Sequence, residues 1–226
     1  MPTRIIEGTP PRLAPDLIAR FAAIPVPIVV DLLEGRTLVD PAIRPLRRVA
    51  GGGALLGTAV TALCPPQDYG AVHHAIAAAG AGDVVVIDAG GRGDVAMIGD
   101  LLSTAARRKG VAGLVVDGAI RDTGTLAGWS DFQAFTRHVT PRGPASKDGG
   151  VVNGPVTIGG APVRPGDLIL GDDDGVVVIP REAAAGLIDQ ARARAEAEIG
   201  WERQIAAGES TLALFGVPAA VREPGA

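Results

Sequence analysis

The chain has 226 residues, a formal net charge of −4, and 47% hydrophobic residues of which few are aromatic; its isoelectric point is about 5.4. The acidic balance lacks the basic footprint of a nucleic-acid binder, and so large an apolar share excludes a disordered chain. One cysteine excludes an internal disulfide and a cysteine-rich zinc site, and the uncharged stretch from Val49 to Asp68 is too broken by glycine and proline for a membrane span.

Pro15 to Phe21 carries apolar residues at helical spacing, with Asp16 in the first turn. Pro27 to Glu34 reads as a second short helix opened by proline. Gly52 to Cys64 reads as a buried strand, and Asp68 to Ala79 as a helix closed by Gly80. Val84 to Ile87 is an apolar run of the kind found in a strand covered on both faces. Gly99 to Lys109 reads as a helix with Asp100 at its start and basic residues at its end. Gly113 to Asp117 is the next strand, so strand, helix and strand make a βαβ unit with parallel strands.

Pro141 to Gly150 reads as a long loop. Short strands follow at Val151-Val152, Val156 to Ile158, Val163, Leu168 to Leu170 and Val176 to Ile179. Gly159-Gly160 and Asp174-Gly175 mark hairpin turns between them. Arg181 to Ala207 is a long, charged, alanine-rich helix. The expectation is an α/β protein with two packed β-layers and helices outside, in one domain over residues 1–226. With no secretory-type apolar run after Met1-Pro2-Thr3-Arg4, a soluble cytoplasmic protein is expected.

The loop Asp88 to Asp94 is glycine-rich but carries neither phosphate-binding nor dinucleotide-binding spacing. The sharper stretch is Gly99-Asp100-Leu101-Leu102. The first N–H groups of a helix lack internal partners and suit a small carboxylate. Asp100 fits either a ligand to a cation or an acid that merely caps its helix. Arg121 and Asp122 leave the carboxyl end of the following strand. Arginine grips carboxylate and carbonyl oxygens in a planar fork, and paired aspartates offer hard oxygens suited to Mg²⁺ or Mn²⁺. A surface Arg–Asp pair in a turn is the plainer reading.

Twenty residues separate Asp100 from Arg121, and Asp122 follows directly. This Asp-x(20)-Arg-Asp pattern resembles the class II pyruvate aldolases that cleave 4-hydroxy-4-methyl-2-oxoglutarate and 4-carboxy-4-hydroxy-2-oxoadipate. They share their fold with the regulator of ribonuclease activity A. Val72-His73-His74-Ala75-Ile76, Gly82 to Asp88, Val115 to Gly118, Pro165-Gly166-Asp167 and Gly171 to Pro180 support the likeness.

The resemblance implies a layered β/β/α, swivelling-domain-like fold. It implies Asp122 as direct ligand of Mg²⁺ or Mn²⁺, and Asp100 as ligand through water. Arg121 would bind the keto oxygen of pyruvate and stabilise its enolate. Gly99 and the amides of Leu101 and Leu102 would hold the pyruvate carboxylate. Glu34 matches a glutamate near the active site. The family's homotrimers, or pairs of trimers, place the site between subunits and draw a glutamate from a neighbour's C-terminal helix, here Glu196 or Glu198. A small 2-oxo acid is the expected partner, with no nucleic acid and no membrane. Two departures stand out: Tyr69 replaces the usual asparagine, and Phe132 to Arg137 replaces a common Pro-Val-Phe-Ala-Arg-Gly stretch.

Retro-aldol cleavage needs either a lysine Schiff base or a metal to carry the enolate charge. The only lysines are Lys109, in a charged helix end, and Lys147, in a loop. Neither has the desolvated setting of a nucleophile, which favours the metal. A 4-hydroxy-2-oxo diacid is the expected substrate, with oxaloacetate decarboxylation alongside. The contrasting readings are a non-enzymatic protein that inhibits an RNA-processing partner, and a degenerate enzyme.

Overall fold

The computed structural model describes residues 1–8, 12–47 and 55–222. Strand β1 (Arg4–Ile5) is followed by helices α1 (Pro15–Ala19) and α2 (Val26–Leu32). Strands β2 (Arg44–Pro45) and β3 (Leu55–Leu63), helix α3 (Gly70–Ala78), and strands β4 (Asp83–Asp88) and β5 (Ala96–Ile98) come next. Helix α4 (Asp100–Arg108), strand β6 (Gly113–Ile120), helix α5 (Thr123–Ala127) and strand β7 (Gln133–Val139) form the middle. Strands β8 (Val151–Val152), β9 (Val156–Ile158), β10 (Ala161–Val163), β11 (Leu168–Gly171) and β12 (Val176–Ile179) precede helices α6 (Arg181–Ala206) and α7 (Thr211–Leu214).

One mixed sheet runs β1-β8-β3-β4-β6-β7-β2, with β5 added to β6. The expected βαβ unit is present: β4 and β6 are parallel neighbours, with Val84 opposite Gly113 and Asp88 opposite Asp117. Both strands are buried on both faces, which explains their unbroken valine and isoleucine. Their side chains alternate between two cores. Val85, Ile87, Leu114 and Val116 face α3 and α4. Val84, Val86 and Val115 face a second β-layer through Ile158, Val163, Val176 and Val178.

The second layer branches off β3. One edge of β3 pairs in parallel with β4. Its other edge is shared, with residues 55–58 opposite β11 and residues 62–63 opposite β8. β11 turns into β12 by the expected hairpin, and β9 and β10 form their own two-stranded sheet around Gly159-Gly160. Outside this layer α2 and the first half of α6 bury Ile28, Val29, Leu187 and Ile188 against β11 and β12. Buried positions of α6 stop at Ala191, so its second half projects beyond the core. Among the described residues no helix is long and apolar enough to cross a membrane.

Several boundaries differ from expectation. The strand placed at Gly52 to Cys64 is observed from Leu55; Gly52 to Ala54 lie outside the described residues. α3 starts at Gly70 rather than Asp68, because the Asp68 carboxylate turns back to accept from the Gly70 N–H at 2.8 Å. β6 continues three residues past Asp117 to Ile120. β5 and β7 are strands that periodicity did not indicate. β7 is nevertheless buried over Gln133 to Thr136, and its polar residues find partners: Thr136 Oγ1 donates to the Gly118 carbonyl at 3.1 Å, and Arg137 pairs with Asp117 at 2.6 Å and Asp40 at 2.7 Å.

Candidate active site

The β5–α4 and β6–α5 junctions lie side by side at one edge of the sheet. Ile98 pairs with Ile120, and the Arg121 N–H donates to the Ile98 carbonyl at 3.0 Å. Gly99 caps the start of α4 without a side chain. Its place is taken by Asp122, whose Oδ2 accepts from the Asp100 N–H at 3.0 Å. Asp122 reaches back because its backbone is left-handed, with φ 57°. Aspartate tolerates that conformation better than most side chains. Arg121 Nε stands 3.6 Å from the same carboxylate oxygen.

Gly99 is required by space. A Cβ there would collide with Asp122 Oδ2 and lie 2.9 Å from Arg121 Cγ. Gly143 is its counterpart on the other side, since a Cβ there would meet Arg121 Nη1 at 2.7 Å. The 142–149 segment thus closes over the guanidinium. It is pinned at both ends. The Ala96 N–H donates to the Arg142 carbonyl at 2.8 Å, and both Ala145 and Ser146 N–H groups donate to the Gln67 carbonyl. Asp68 completes the clamp by accepting from Ser146 Oγ at 2.5 Å and the Gly149 N–H at 2.9 Å. Burial pushes the Asp68 carboxyl upward, but these bonds and those from Gly70 and Asp148 outweigh it and hold it below the usual carboxylate range.

Between these elements lies a cleft of about 280 Å³. It brings together Gly99, Asp100, Leu101, Leu102 and Arg121 of the expected site, with Asp122 bonded at its rim. Tyr69, His73 and Pro144 also line it. His73 faces the cleft, edge-on to the Tyr69 ring at 4.7 Å between centroids. Desolvation, helped by His74 and Lys147, holds its pKa below the usual value. Cavities of about 660 and 540 Å³ lie elsewhere, but neither is lined by Arg121 or Asp100.

Glu34 is not part of the cleft in this chain. It follows α2 in a left-handed turn, exposed and paired with Arg36. Glu198 is held by Arg194 on its own helix at 3.0 Å, while Glu196 is exposed. Lys109 does not act on its own helix end. Its Nζ donates to the Ile76 and Ala77 carbonyls at 2.8 and 2.5 Å, capping the last turn of α3. Lys147 is exposed on the loop. Burial, with Asp68 and Asp88 nearby, pushes the Cys64 thiol up to about 12, so it is an inert core residue. Asp172 accepts from the Val26 N–H at 2.9 Å and so caps α2.

The RraA-like family, described as Aldolase/RraA, matches residues 26–178, which hold every element of the cleft. The chain belongs to the RraA-like family. A protein of Halalkalibacterium halodurans, provisionally named 4-hydroxy-4-methyl-2-oxoglutarate aldolase, is 37% identical over 190 residues, covering 84% of this chain and 89% of that one. A solved structure of an uncharacterized protein from Pseudomonas syringae pv. tomato has a TM-score of 0.79 at 26% identity, over 91% of this chain and 95% of that one. Streptomyces coelicolor RraAS2, described as an unusual member of the RNase ES inhibitor RraA protein family, has a TM-score of 0.76 at 27% identity, over 85% and 100%. The RraA-like match therefore spans the cleft and nearly all of both β-layers, whereas the whole of α6 lies beyond the matched region.

Proposed function

We propose that this chain is a divalent-metal-dependent lyase that releases pyruvate from a 4-hydroxy-2-oxo diacid by retro-aldol cleavage, and that it also decarboxylates oxaloacetate. The observation that carries the reading is the convergence of Arg121, Asp122 and the N-terminus of α4 in one cleft. The aldolase names of the relatives support the lyase class.

Among the described residues no group of three His, Cys, Asp or Glu side chains forms a metal cage. Two carboxylates on a half-exposed rim are nonetheless the donor set that Mg²⁺ accepts, because it keeps several waters and takes substrate oxygens. Asp122 and Asp100 would hold the ion, which supplies electrophilic stabilisation of the enolate oxygen. The chain's own groups do the rest. The N–H groups of Leu101 and Leu102 hold the substrate's C1 carboxylate at the positive end of the helix. Arg121 holds the 2-oxo oxygen in its fork and carries part of the charge that develops there. The C4 hydroxyl loses its proton, the C3–C4 bond breaks, and its electron pair enters the C2–C3 enolate, which takes a proton at C3 to give pyruvate. Oxaloacetate passes through the same enolate when it loses carbon dioxide.

The assembly that completes this reading is a homotrimer or a pair of trimers, in which a neighbouring copy brings Glu34 and either Glu196 or Glu198 to the cleft. The isolated position of Glu34 and the projecting end of α6 support that arrangement. The likeness to RraAS2 favours one second reading, an inhibitor of an RNA-processing nuclease.

The test is pyruvate release from oxaloacetate and from 4-hydroxy-2-oxo acids, with Mg²⁺ or Mn²⁺ and after chelation. Activity that vanishes with chelator and returns with metal is expected, and Arg121→Ala should lower it by about 100-fold or more. Nuclease binding without any metal-dependent pyruvate release would favour the second reading instead.

A further inference from the structure

We infer that Thr136 is a positioning residue for Arg121 and Asp122, acting through a bulge in β6. The inference rests on the lyase reading and adds to it a residue outside the cleft. β6 and β7 run in parallel with Val116 opposite Thr136 but Ala119 opposite His138. Three steps along β6 thus match two along β7, and one extra residue is taken up around Asp117 and Gly118. The bulge holds Arg121 back by one residue, about 3.3 Å of strand, from where an even register would put it. β5 joins β6 past this point, with Ala96 opposite Ala119. The Arg121 N–H then donates to the Ile98 carbonyl at 3.0 Å, and the Thr140 N–H to the Ile120 carbonyl at 3.1 Å. The backbone that carries the Arg–Asp pair is therefore fixed where the bulge delivers it.

A hydroxyl ties the bulge to β7. Thr136 is buried, and its Oγ1 lies 3.1 Å from the Gly118 carbonyl oxygen and 2.9 Å from that of His138. Its one proton is shared between the bulge on β6 and the residue that the bulge sets opposite Ala119. Asp117 is held separately. Its carbonyl accepts from the Ala89 and Gly91 N–H groups at 3.1 and 3.0 Å, and its carboxylate from Arg137 Nε and the Gly159 N–H, each at 2.6 Å. Removing the hydroxyl withdraws a donor from the buried Gly118 carbonyl, three residues before Arg121, and leaves those bonds in place.

Thr136→Val keeps the shape of the side chain and removes the hydroxyl, whereas Thr136→Ser keeps the hydroxyl. Pyruvate release from oxaloacetate and 4-hydroxy-2-oxoglutarate by the intact protein with Mg²⁺ is measured beside residue-resolved amide hydrogen exchange. The Asp100 N–H reports on Asp122, to which it is bonded, and the Arg121 N–H on the strand itself. In the Val variant kcat should fall about tenfold with KM within about twofold. Both amides should exchange about tenfold faster relative to those of β4. The Ser variant should keep the original values. Should the Val variant not fold, Thr136→Ala is read in the same way. Exchange that rises equally across β4 and β6, or does not rise, makes Thr136 a merely structural residue and overturns the inference. Selective exchange with kcat within about twofold of the original also overturns it, because the displaced pair would then not matter to turnover. A Ser variant as slow as the Val variant overturns the assignment to the hydroxyl. No pyruvate from either compound with the unaltered protein overturns the lyase reading, and exchange alone then decides whether Thr136 places the pair.

Discussion

Replacing Gly99 by alanine tests whether Asp122 and Arg121 must sit where the fold puts them. The Gly99 backbone is extended, with φ −142° and ψ −159°, so alanine meets no conformational penalty. The whole effect is steric. The new Cβ would overlap Asp122 Oδ2 and stand 2.9 and 3.1 Å from Arg121 Cγ and Nε. To regain ordinary contact the carboxylate must retreat by about 1 Å, and a misplacement of that size costs turnover on the order of 100-fold. The same retreat breaks the 3.0 Å bond from the Asp100 N–H. Losing a cap of that kind costs about 1 kcal/mol. In a chain of this size that lowers Tm by roughly 2–4 °C.

The assay pairs pyruvate release with thermal denaturation followed by circular dichroism. The expected outcome is a folded variant with nearly the original Tm and about one-hundredth of the original kcat. Gly143→Ala crowds only Arg121 and is the matched control for the guanidinium alone. A folded Gly99→Ala protein that keeps kcat within about threefold of the original would refute the reasoning, because a retreat of about 1 Å would then be harmless to the chemistry.

Asp122→Asn keeps the left-handed backbone and an oxygen for the Asp100 N–H, so Tm should hold within about 1–2 °C while pyruvate release falls on the order of 100-fold; equal losses of both would make the residue structural. Asp68→Asn probes the loop clamp through pH. The Asp68 carboxyl is held below its ordinary value, so its stabilisation is present above about pH 4 and is lost as pH falls through the lower folded value. The variant should therefore be less stable at pH 7 by about 1–3 kcal/mol, with the gap closing toward pH 3, and parallel Tm profiles would contradict this. Lys109→Ala and Lys147→Ala should both retain turnover, and borohydride should trap no substrate adduct. Lys109→Ala alone should lower Tm by a few degrees, since it uncaps α3 at a cost of about 1 kcal/mol; an inactive lysine variant would revive the Schiff-base route.

The placement of the site was legible because of how a βαβ unit is wired. The start of a helix and the end of the strand after it come to the same edge of the sheet. Asp100 begins α4 and Arg121-Asp122 follow β6, so their spacing in sequence already meant proximity in space. The valine-rich strands were legible for a similar reason, because burial on both faces leaves an unbroken apolar run. β7 was not. Its buried Gln133, Thr136 and Arg137 are offset by partners on Gly118, Asp117 and Asp40, and no local pattern announces partners so far away in the chain. The loop over Arg121 was hidden in the same way, since Asp68 and Gln67 clamp a segment some eighty residues later.

These long-range contacts divide the labour within the cleft. Gly99, Asp100, Arg121 and Asp122 are set by the sheet and by one helix start, all within 24 residues of chain. In the proposed reaction these residues would hold the C1 carboxylate and the 2-oxo group. Tyr69, His73 and Pro144 come from elements joined to them through the Asp68 clamp, the bond between Ala96 and Arg142, and the bonds from Lys109 to the end of α3. A change at Tyr69 therefore leaves the helix start and the Arg–Asp pair untouched, whereas a change at Gly99 strikes both at once. The two sets of cleft residues are thus positioned by different hydrogen bonds, the first by the Asp122–Asp100 contact and the second by the clamp on the 142–149 segment.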